Sequence, residues 1–301
     1  MYTAENISFI AGKRQILRPM SFSIAAGSLT VLLGPNGAGK STLLRLLSGS
    51  AHSPTGGIKL DHRPLPAYRA ADLARKRAVL TQHYAVSLPF TCREIVEMGR
   101  YPHEGTATKA EHARVVDQCM DEMEVACFAD RLFHTLSGGE QQRVQMARVW
   151  AQLESGGHQR DKALLLDEPT ASLDYLQQQQ VMFRAAELAK RGYTVVVVLH
   201  DLNLAAQYAD TILLLKEGDL LAKGPAAEVL QPGLLQQAFG LPVDLIRHED
   251  YPFPILVPAK VKHNPIVQIK KTQNHGTYSN TALVTRRVAS FPEGKSQSAH
   301  S

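Results

Sequence analysis

The sequence predicts an α/β fold in which helices cover both faces of a mostly parallel sheet. Short apolar runs at residues 164–166, 195–199 and 212–215 alternate with helical segments such as 177–190. A glycine-rich turn follows another apolar run at 28–33, and two carboxylates follow the run that ends at residue 166. The carboxyl ends of parallel strands meet at one edge of a sheet, where ligands bind. We therefore expect the two polar groups to form one site.

The glycine-rich turn has the pattern of a phosphate-binding loop that opens a helix. It comprises Gly34, Pro35, Asn36, Gly37, Ala38, Gly39, Lys40 and Ser41, and Thr42 continues the helix. Backbone N–H groups and the helix dipole of such a loop cradle the phosphates of a nucleotide such as ATP. Lys40 is expected to reach the β- and γ-phosphates, and the hydroxyl of Ser41 to ligate Mg²⁺.

The carboxylate pair follows the buried run Ala163-Leu-Leu-Leu. Asp167 is expected to hold the Mg²⁺ shell at the carboxyl end of this strand. Glu168 is expected to polarise the attacking water, a general-base role worth about 10²–10⁴ in rate. The alternative is a pair of solvated acids at a strand end, which the nearby phosphate-binding loop disfavours.

A second glycine turn, Leu136-Ser137-Gly138-Gly139-Glu140, opens a further helix about a hundred residues after the first turn. In this order and separation, the two turns resemble those of the ATP-binding-cassette (ABC) ATPases. The resemblance implies that Ser137, Gly138 and Gly139 close over ATP held by the partner subunit. It also implies a P-loop NTPase cassette with a mostly parallel core sheet, an N-terminal antiparallel β subdomain and an inserted α-helical subdomain.

Three further residues take their expected roles from the same resemblance. Gln82 would contact Mg²⁺ or water, Asp174 would touch the partner subunit, and His200 would hydrogen-bond the γ-phosphate. A lone His after a strand is more often a capped surface residue. Its place after Asp174, followed by Asp201-Leu-Asn-Leu, favours the phosphate role here.

The chain divides into an ATPase domain over residues 1–258 and a basic, polar tail over 259–301, predicted to be disordered. Residues 1 to about 30 are predicted to form alternating short strands. Segment 91–136 is predicted to be the helical subdomain, because Thr91…Glu94 and Thr108…Glu111 have capping-box form. The four glutamines at 177–180 are expected to form a solvated helical face.

Charge and cysteine content limit the classes of function. The net charge is +5, but the tail alone carries seven Lys and Arg against one acid, so residues 1–258 carry −1 and no nucleic-acid partner is expected. Three cysteines without paired spacing indicate reduced thiols in a cytoplasmic protein. We expect neither a leader peptide nor a membrane span, so that other chains supply any membrane path.

The segment Leu88-Pro-Phe…Met98-Gly99-Arg100-Tyr-Pro-His103 resembles the ABC importers of iron–siderophore, cobalamin and hemin complexes. Segment 148–162 is longer than the common cassette spacing, and it resembles the hemin branch, as does segment 195–209. A tolerated loop insertion remains the alternative, and so do siderophore and cobalamin as ligands. The resemblance implies a homodimer, two membrane permease subunits, a periplasmic substrate-binding protein and a location on the cytoplasmic face of the inner membrane.

One position departs from the family pattern. An aromatic side chain commonly stacks on adenine, but Ala11 occupies that place, with Phe9 or Tyr2 as possible substitutes. The sequence disfavours two other classes of function. Non-transport cassettes acting on DNA or ribosomes carry a long coiled coil or a second cassette, and the sequence has neither. A non-hydrolysing scaffold should lack Glu168 or His200, and both are present.

Overall fold

The computed structural model describes residues 1–81, 88–154, 162–247 and 251–259. Its strands are β1 Tyr2–Ala11, β2 Arg14–Ile24, β3 Ser28–Leu33, β4 Gly57–Leu60, β5 Arg63–Pro64, β6 Arg77–Leu80, β7 Ala163–Asp167, β8 Thr194–Val198, β9 Thr211–Lys216, β10 Asp219–Gly224, β11 Val243–Ile246 and β12 Ile255–Pro258. Its α-helices are α1 Lys40–Ser48, α2 Ala70–Lys76, α3 Cys92–Glu97, α4 Lys109–Glu122, α5 Gly138–Leu153, α6 Tyr175–Lys190, α7 Leu202–Tyr208, α8 Ala226–Val229 and α9 Pro232–Phe239.

The central sheet has six strands in the order β10-β9-β3-β8-β7-β6. All neighbours pair in parallel except β10, which returns antiparallel to β9. Strands β7 and β8 are buried at every residue, which explains why their sequences are continuous apolar runs without alternation. The predicted α/β fold with a mostly parallel sheet is confirmed.

A second sheet, in the order β2-β1-β4-β5, is antiparallel and contains the amino-terminal strands. The prediction of short strands here is wrong, because β1 has 10 residues and β2 has 11. Irregular pairing near Asn6, whose φ is +50°, interrupts the alternation of buried and exposed residues without ending the strand. The interrupted alternation in the sequence therefore suggests that a strand ends, whereas the strand continues through a bulge.

Helices α3 and α4 and three 3₁₀ segments form a helical layer beside α5. Thr91 makes a complete capping box with Glu94, since each side chain bonds the other residue's backbone N–H. Thr108 caps α4 by accepting from the N–H of Glu111 at 3.2 Å. These caps explain why both helices begin at the residues that the sequence indicates.

The glutamine run does not form a solvated face. Gln177 to Gln180 are half-buried, and the side chain of Gln178 donates to the carbonyls of Thr170 and Leu173 at 3.3 and 3.0 Å. Helix α6 also begins at Tyr175, two residues before the predicted start. Over the described residues, no helix combines the length and the apolar character needed to cross a membrane.

Candidate nucleotide-binding site

The phosphate-binding loop joins β3 to α1 in a conformation that requires glycine. Gly34 has a φ of +149°, and a Cβ there would lie 2.3 Å from the carbonyl oxygen of Leu215. Gly39 has a φ of +101°, and a Cβ there would lie 2.4 Å from Cδ2 of Leu17. The loop therefore packs closely between β9 and β2, and this contact fixes the path of its backbone.

Lys40 lies within this loop and is only 5% exposed. Its Nζ donates to the carbonyl oxygens of Gly34 and Pro35 at 2.8 and 3.1 Å. Burial lowers the pKa of Lys40, while the nearby carboxylates of Glu168 and Asp167 oppose that shift. Two carbonyls of the loop thus hold the Nζ of Lys40 in place.

Ser41 and Asp167 bring a hydroxyl and a carboxylate together across the sheet edge. Ser41 Oγ donates to Asp167 Oδ1 at 3.1 Å. Burial raises the pKa of Asp167, and the hydrogen bond from Ser41 acts in the opposite direction. A hydroxyl and a carboxylate oxygen that converge in this way are the donors that Mg²⁺ prefers, so the pair fits this cation.

Glu168 and His200 follow the ends of the neighbouring strands β7 and β8. The distance between Glu168 Oε1 and His200 Nε2 is 2.6 Å, and the imidazole N–H donates. The Glu168 side chain is 15% exposed and that of His200 is 46% exposed. Glu168 also has a φ of +51°, a left-handed conformation that costs a non-glycine residue about 1–2 kcal/mol. Such strain is often found at functional sites.

Glu168, Lys40 and Ser41 border a cleft of about 240 Å³ that lies over the loop. The cleft is lined by Arg14, Ile16, Asn36, Gly37, Gly39, Lys40, Ser41, Thr42 and Glu168. The sequence does not predict Arg14 and Ile16 as site residues. They line the cleft because β2 passes beside the phosphate-binding loop. Tyr2 is 0% exposed and cannot stack on a base, so that candidate is wrong. Ala11 is exposed, and Phe9 packs against the buried core.

The second glycine turn begins α5, which we call the signature helix (Gly138–Leu153). Ser137 is its N-cap and forms a complete capping box with Glu140. A Cβ on Gly139 would lie 3.1 Å from the carbonyl oxygen of Ser172. Asp174 is the N-cap of α6 and accepts from the N–H of Gln177 at 2.8 Å. The glycine turn therefore packs against the segment that precedes α6. Its residues are not among those that line the cleft.

The structure thus divides the sequence-predicted residues into two groups. Lys40, Ser41, Asp167, Glu168 and His200 form one cluster at the carboxyl edge of the parallel sheet. Ser137, Gly138, Gly139 and Asp174 form the other, at the amino ends of α5 and α6. Gln82 lies outside the described residues.

The fold and the first cluster define an α/β phosphate-loop nucleoside triphosphatase. Residues 17–171 match the ABC transporter family. The chain is 45% identical over 245 residues to a hemin import ATP-binding protein, HmuV, of Rhodococcus jostii (strain RHA1), covering 81% of this chain and 82% of the relative. The HmuV of Rhodopseudomonas palustris (strain BisA53) is 43% identical over 260 residues, covering 86% of this chain and 94% of the relative.

Two solved structures share the fold along most of their length. An inward-facing metal-chelate type ABC transporter superposes with a TM-score of 0.70 at 28% identity, covering 86% of this chain and 96% of that one. The dimeric structure of MJ0796, a bacterial ABC transporter cassette, superposes with a TM-score of 0.66 at 26% identity, covering 75% of this chain and 99% of that one. The chain belongs to the ABC transporter family, as an ATP-binding cassette with ATPase activity.

Proposed function

We propose that this chain is the motor subunit of a bacterial ABC importer for hemin. Two copies work with two membrane permease subunits and a periplasmic substrate-binding protein, bound peripherally at the cytoplasmic face of the inner membrane. The observation that carries the catalytic part is the hydrogen bond between His200 and Glu168, beside the cleft over the phosphate-binding loop.

In this proposal, the loop from Gly34 to Ser41 and the first turn of α1 bind the phosphates of ATP. Lys40 neutralises the β- and γ-phosphates, and Ser41 and Asp167 hold Mg²⁺, with Gln82 as a further ligand. When bound, Mg²⁺ supplies electrostatic stabilisation of the charge on the phosphates. The support is the convergence of the Ser41 hydroxyl and the Asp167 carboxylate at 3.1 Å.

Glu168 is the proposed general base. It takes a proton from water as the water oxygen bonds to the γ-phosphorus and the bond to the leaving oxygen of ADP breaks, which releases ADP and phosphate. His200 orients the Glu168 carboxylate and senses the γ-phosphate through a hydrogen bond. The 2.6 Å contact between the two side chains supports this division of roles.

The proposal assigns Ser137, Gly138, Gly139 and Asp174 to the ATP held by a second copy. Two observations support a composite site. The turn at the start of the signature helix lies apart from the lining of the cleft in its own chain, and the similar cassette MJ0796 forms a dimer. A symmetric pair would use each turn in the partner's site.

Hemin is proposed as the cargo because several similar relatives carry the name hemin import ATP-binding protein. A ferric siderophore or cobalamin is the alternative cargo. The similar inward-facing structure is described only as a metal-chelate type transporter.

The motor is tested with Glu168→Gln. The amide cannot accept the proton, so steady-state phosphate release should fall by about 10²–10⁴ while Mg-ATP binding persists. ATP should then hold a dimer, which sedimentation velocity detects. Lys40→Ala is the matched control, because it should lose nucleotide affinity instead. Near-normal hydrolysis by the Glu168→Gln variant would refute the assignment of the base.

The cargo is tested by reconstituting the chain with its neighbouring permease in liposomes. The cognate binding protein is added after loading with hemin, a ferric siderophore or cobalamin. Hemin should stimulate phosphate release most strongly and should accumulate inside, because a loaded binding protein shifts the population of conformations. Transport of another chelate without hemin would leave the motor intact and exclude the hemin assignment.

A further inference from the structure

The carboxyl end of the signature helix is held by buried cations from other parts of the chain. The last four carbonyl groups of any α-helix have no partner within the helix. Arg100 is 4% exposed, and its Nη1 donates to the carbonyl oxygens of Ala151 and Glu154. Lys162 is 7% exposed, and its Nζ donates to the carbonyl of Leu153. Positive charges at this end also complement the helix dipole.

The remaining residue of this last turn, Gln152, is held on both its backbone and its side chain. Its carbonyl oxygen lies 2.9 Å from Nε2 of the buried His103. Its Nε2 donates to the carbonyl oxygens of Ala74 and Arg77 at 2.8 and 3.1 Å. The last turn of the helix is therefore fixed to the 3₁₀ segment Met98–His103 and to the junction between α2 and β6.

The segment that supplies Arg100 approaches the helix closely. A Cβ on Gly99 would lie 2.2 Å from the carbonyl oxygen of Arg148, so this contact requires glycine. Arg100 Nε also donates to Nδ1 of His112 at 3.2 Å, which fixes the plane of the guanidinium group. Gly99 and Arg100 thus act together at the signature helix. Gly99 lets the 3₁₀ segment pack closely against the helix, and Arg100 donates hydrogen bonds to the carbonyls at its end.

We propose that Arg100 is a positioning residue for the turn Ser137–Gly139 at the opposite end of the signature helix. The inference rests on the proposed function, in which this turn completes the partner's ATP site. The helix has 16 residues, about 24 Å at 1.5 Å per residue. A rigid rod of this length transmits a shift of its carboxyl end to its amino end. A displacement of about 1 Å can lower a rate about a hundredfold.

The hydrogen bonds of Arg100 are directed at backbone carbonyls, which no substitution can remove. An apolar side chain of similar volume would avoid the cost of burying a guanidinium group, but it would leave the carbonyls of residues 151 and 154 without this donor. These hydrogen bonds fix the position of the helix end, and the experiment must separate this geometric role from a purely structural one.

The test compares Arg100→Met and Arg100→Lys in the Glu168→Gln chain. Methionine fills the space without a donor, whereas lysine keeps a charged donor for the carbonyls. Arg93→Met is the matched control, because Arg93 lies on α3 of the same helical layer and its side chain pairs at 2.7 Å with Asp117 of α4. Trp150, the single tryptophan of the chain, lies on that helix and is 3% exposed, so its emission reports the environment of the helix end.

For Arg100→Met we expect a red shift of Trp150 emission and an ATP-driven dimer at least about tenfold weaker, because about 1.4 kcal/mol corresponds to tenfold. The affinity of the monomer for Mg-ATP should stay within about twofold, because its own phosphate-binding loop is untouched. Arg100→Lys should recover most of the dimer, and Arg93→Met should match the parent in every measurement.

Normal dimerisation of Arg100→Met would overturn the proposal, whether or not the emission shifts. Equal losses of Mg-ATP affinity and dimerisation would also overturn it, since they would indicate general damage to the fold. The proposal would also be overturned if Arg100→Lys formed the ATP-driven dimer no more tightly than a folded Arg100→Met variant. If the Glu168→Gln parent binds Mg-ATP without forming a dimer, the proposed function fails first, and the positioning role fails with it.

Discussion

Replacing Gly34 with alanine should destabilise the chain far more than the same change at Gly37 in the same loop. At Gly34, φ is +149° and the new Cβ would lie 2.3 Å from the carbonyl oxygen of Leu215. Leu215 is completely buried in β9, so relief of the clash requires movement of a core strand. At Gly37, φ is +81° and a Cβ would meet nothing within 4 Å.

The magnitudes follow from these two environments. The forbidden backbone conformation at Gly34 contributes about 1–3 kcal/mol, and forced overpacking adds about 1–3 kcal/mol. Gly37→Ala incurs about 1–2 kcal/mol of left-handed strain, and the gain of about 0.4–1 kcal/mol from the stiffer unfolded chain applies to both variants and cancels. We therefore expect Gly34→Ala to lose about 1–4 kcal/mol more of the free energy of unfolding than Gly37→Ala.

Urea unfolding followed by far-UV circular dichroism measures this difference. Gly12→Ala is a further control, because Gly12 has a φ of +60° with open space around it and lies outside the loop. It should behave like Gly37→Ala in stability and leave Mg-ATP affinity unchanged. The reasoning is refuted if Gly34→Ala and Gly37→Ala unfold within about 0.5 kcal/mol of one another.

Three further predictions concern charge, thiols and the tail. Asp167→Asn should stabilise the fold at neutral pH while abolishing turnover: burial raises the pKa of Asp167, so the ionised form is disfavoured in the folded state. The gain in the free energy of unfolding, measured with urea, should shrink as the pH falls through the raised pKa of Asp167 and should vanish below the ordinary pKa of 3.8. A gain that stays unchanged at low pH would contradict this prediction. A thiol reagent should modify one cysteine in the native chain and three in denaturant, because Cys127 is exposed whereas Cys92 and Cys119 are buried; two fast thiols would refute this. Ending the chain after Pro258 should preserve ATPase activity and transport, and loss of complex assembly would assign the tail a docking role.

The parts of the fold that the sequence predicts are those in which one local pattern decides the outcome. Strands β7 and β8 are continuous apolar runs because both faces of the parallel sheet are covered. Since the carboxyl ends of parallel strands share an edge, the polar residues that follow them converge. The sequence therefore places Asp167 and Glu168 near Lys40, whereas His200 is placed there only by its position in the family pattern.

The parts that the sequence does not predict depend on distant segments. Arg14 and Ile16 line the cleft because β2 runs beside the phosphate-binding loop, which no local pattern encodes. Gln178 is half-buried because carbonyls of the segment before α6 accept its amide hydrogens. The role of Arg100 emerges only where its segment meets the end of a helix some fifty residues further along the chain.

The two groups of proposed site residues differ in the physical cost of their placement. Near the phosphate-binding loop, Lys40 and Asp167 are buried groups whose pKa values shift toward the neutral forms, and Glu168 holds a strained φ of +51°. At the signature turn, Ser137 and Asp174 are exposed N-caps, a placement that stabilises helices. A chain that must be stable before its partner arrives can keep its catalytic groups preorganised in its own core. In the proposed dimer, the groups presented to the other subunit must tolerate water until the dimer closes, and exposed helix caps meet that requirement.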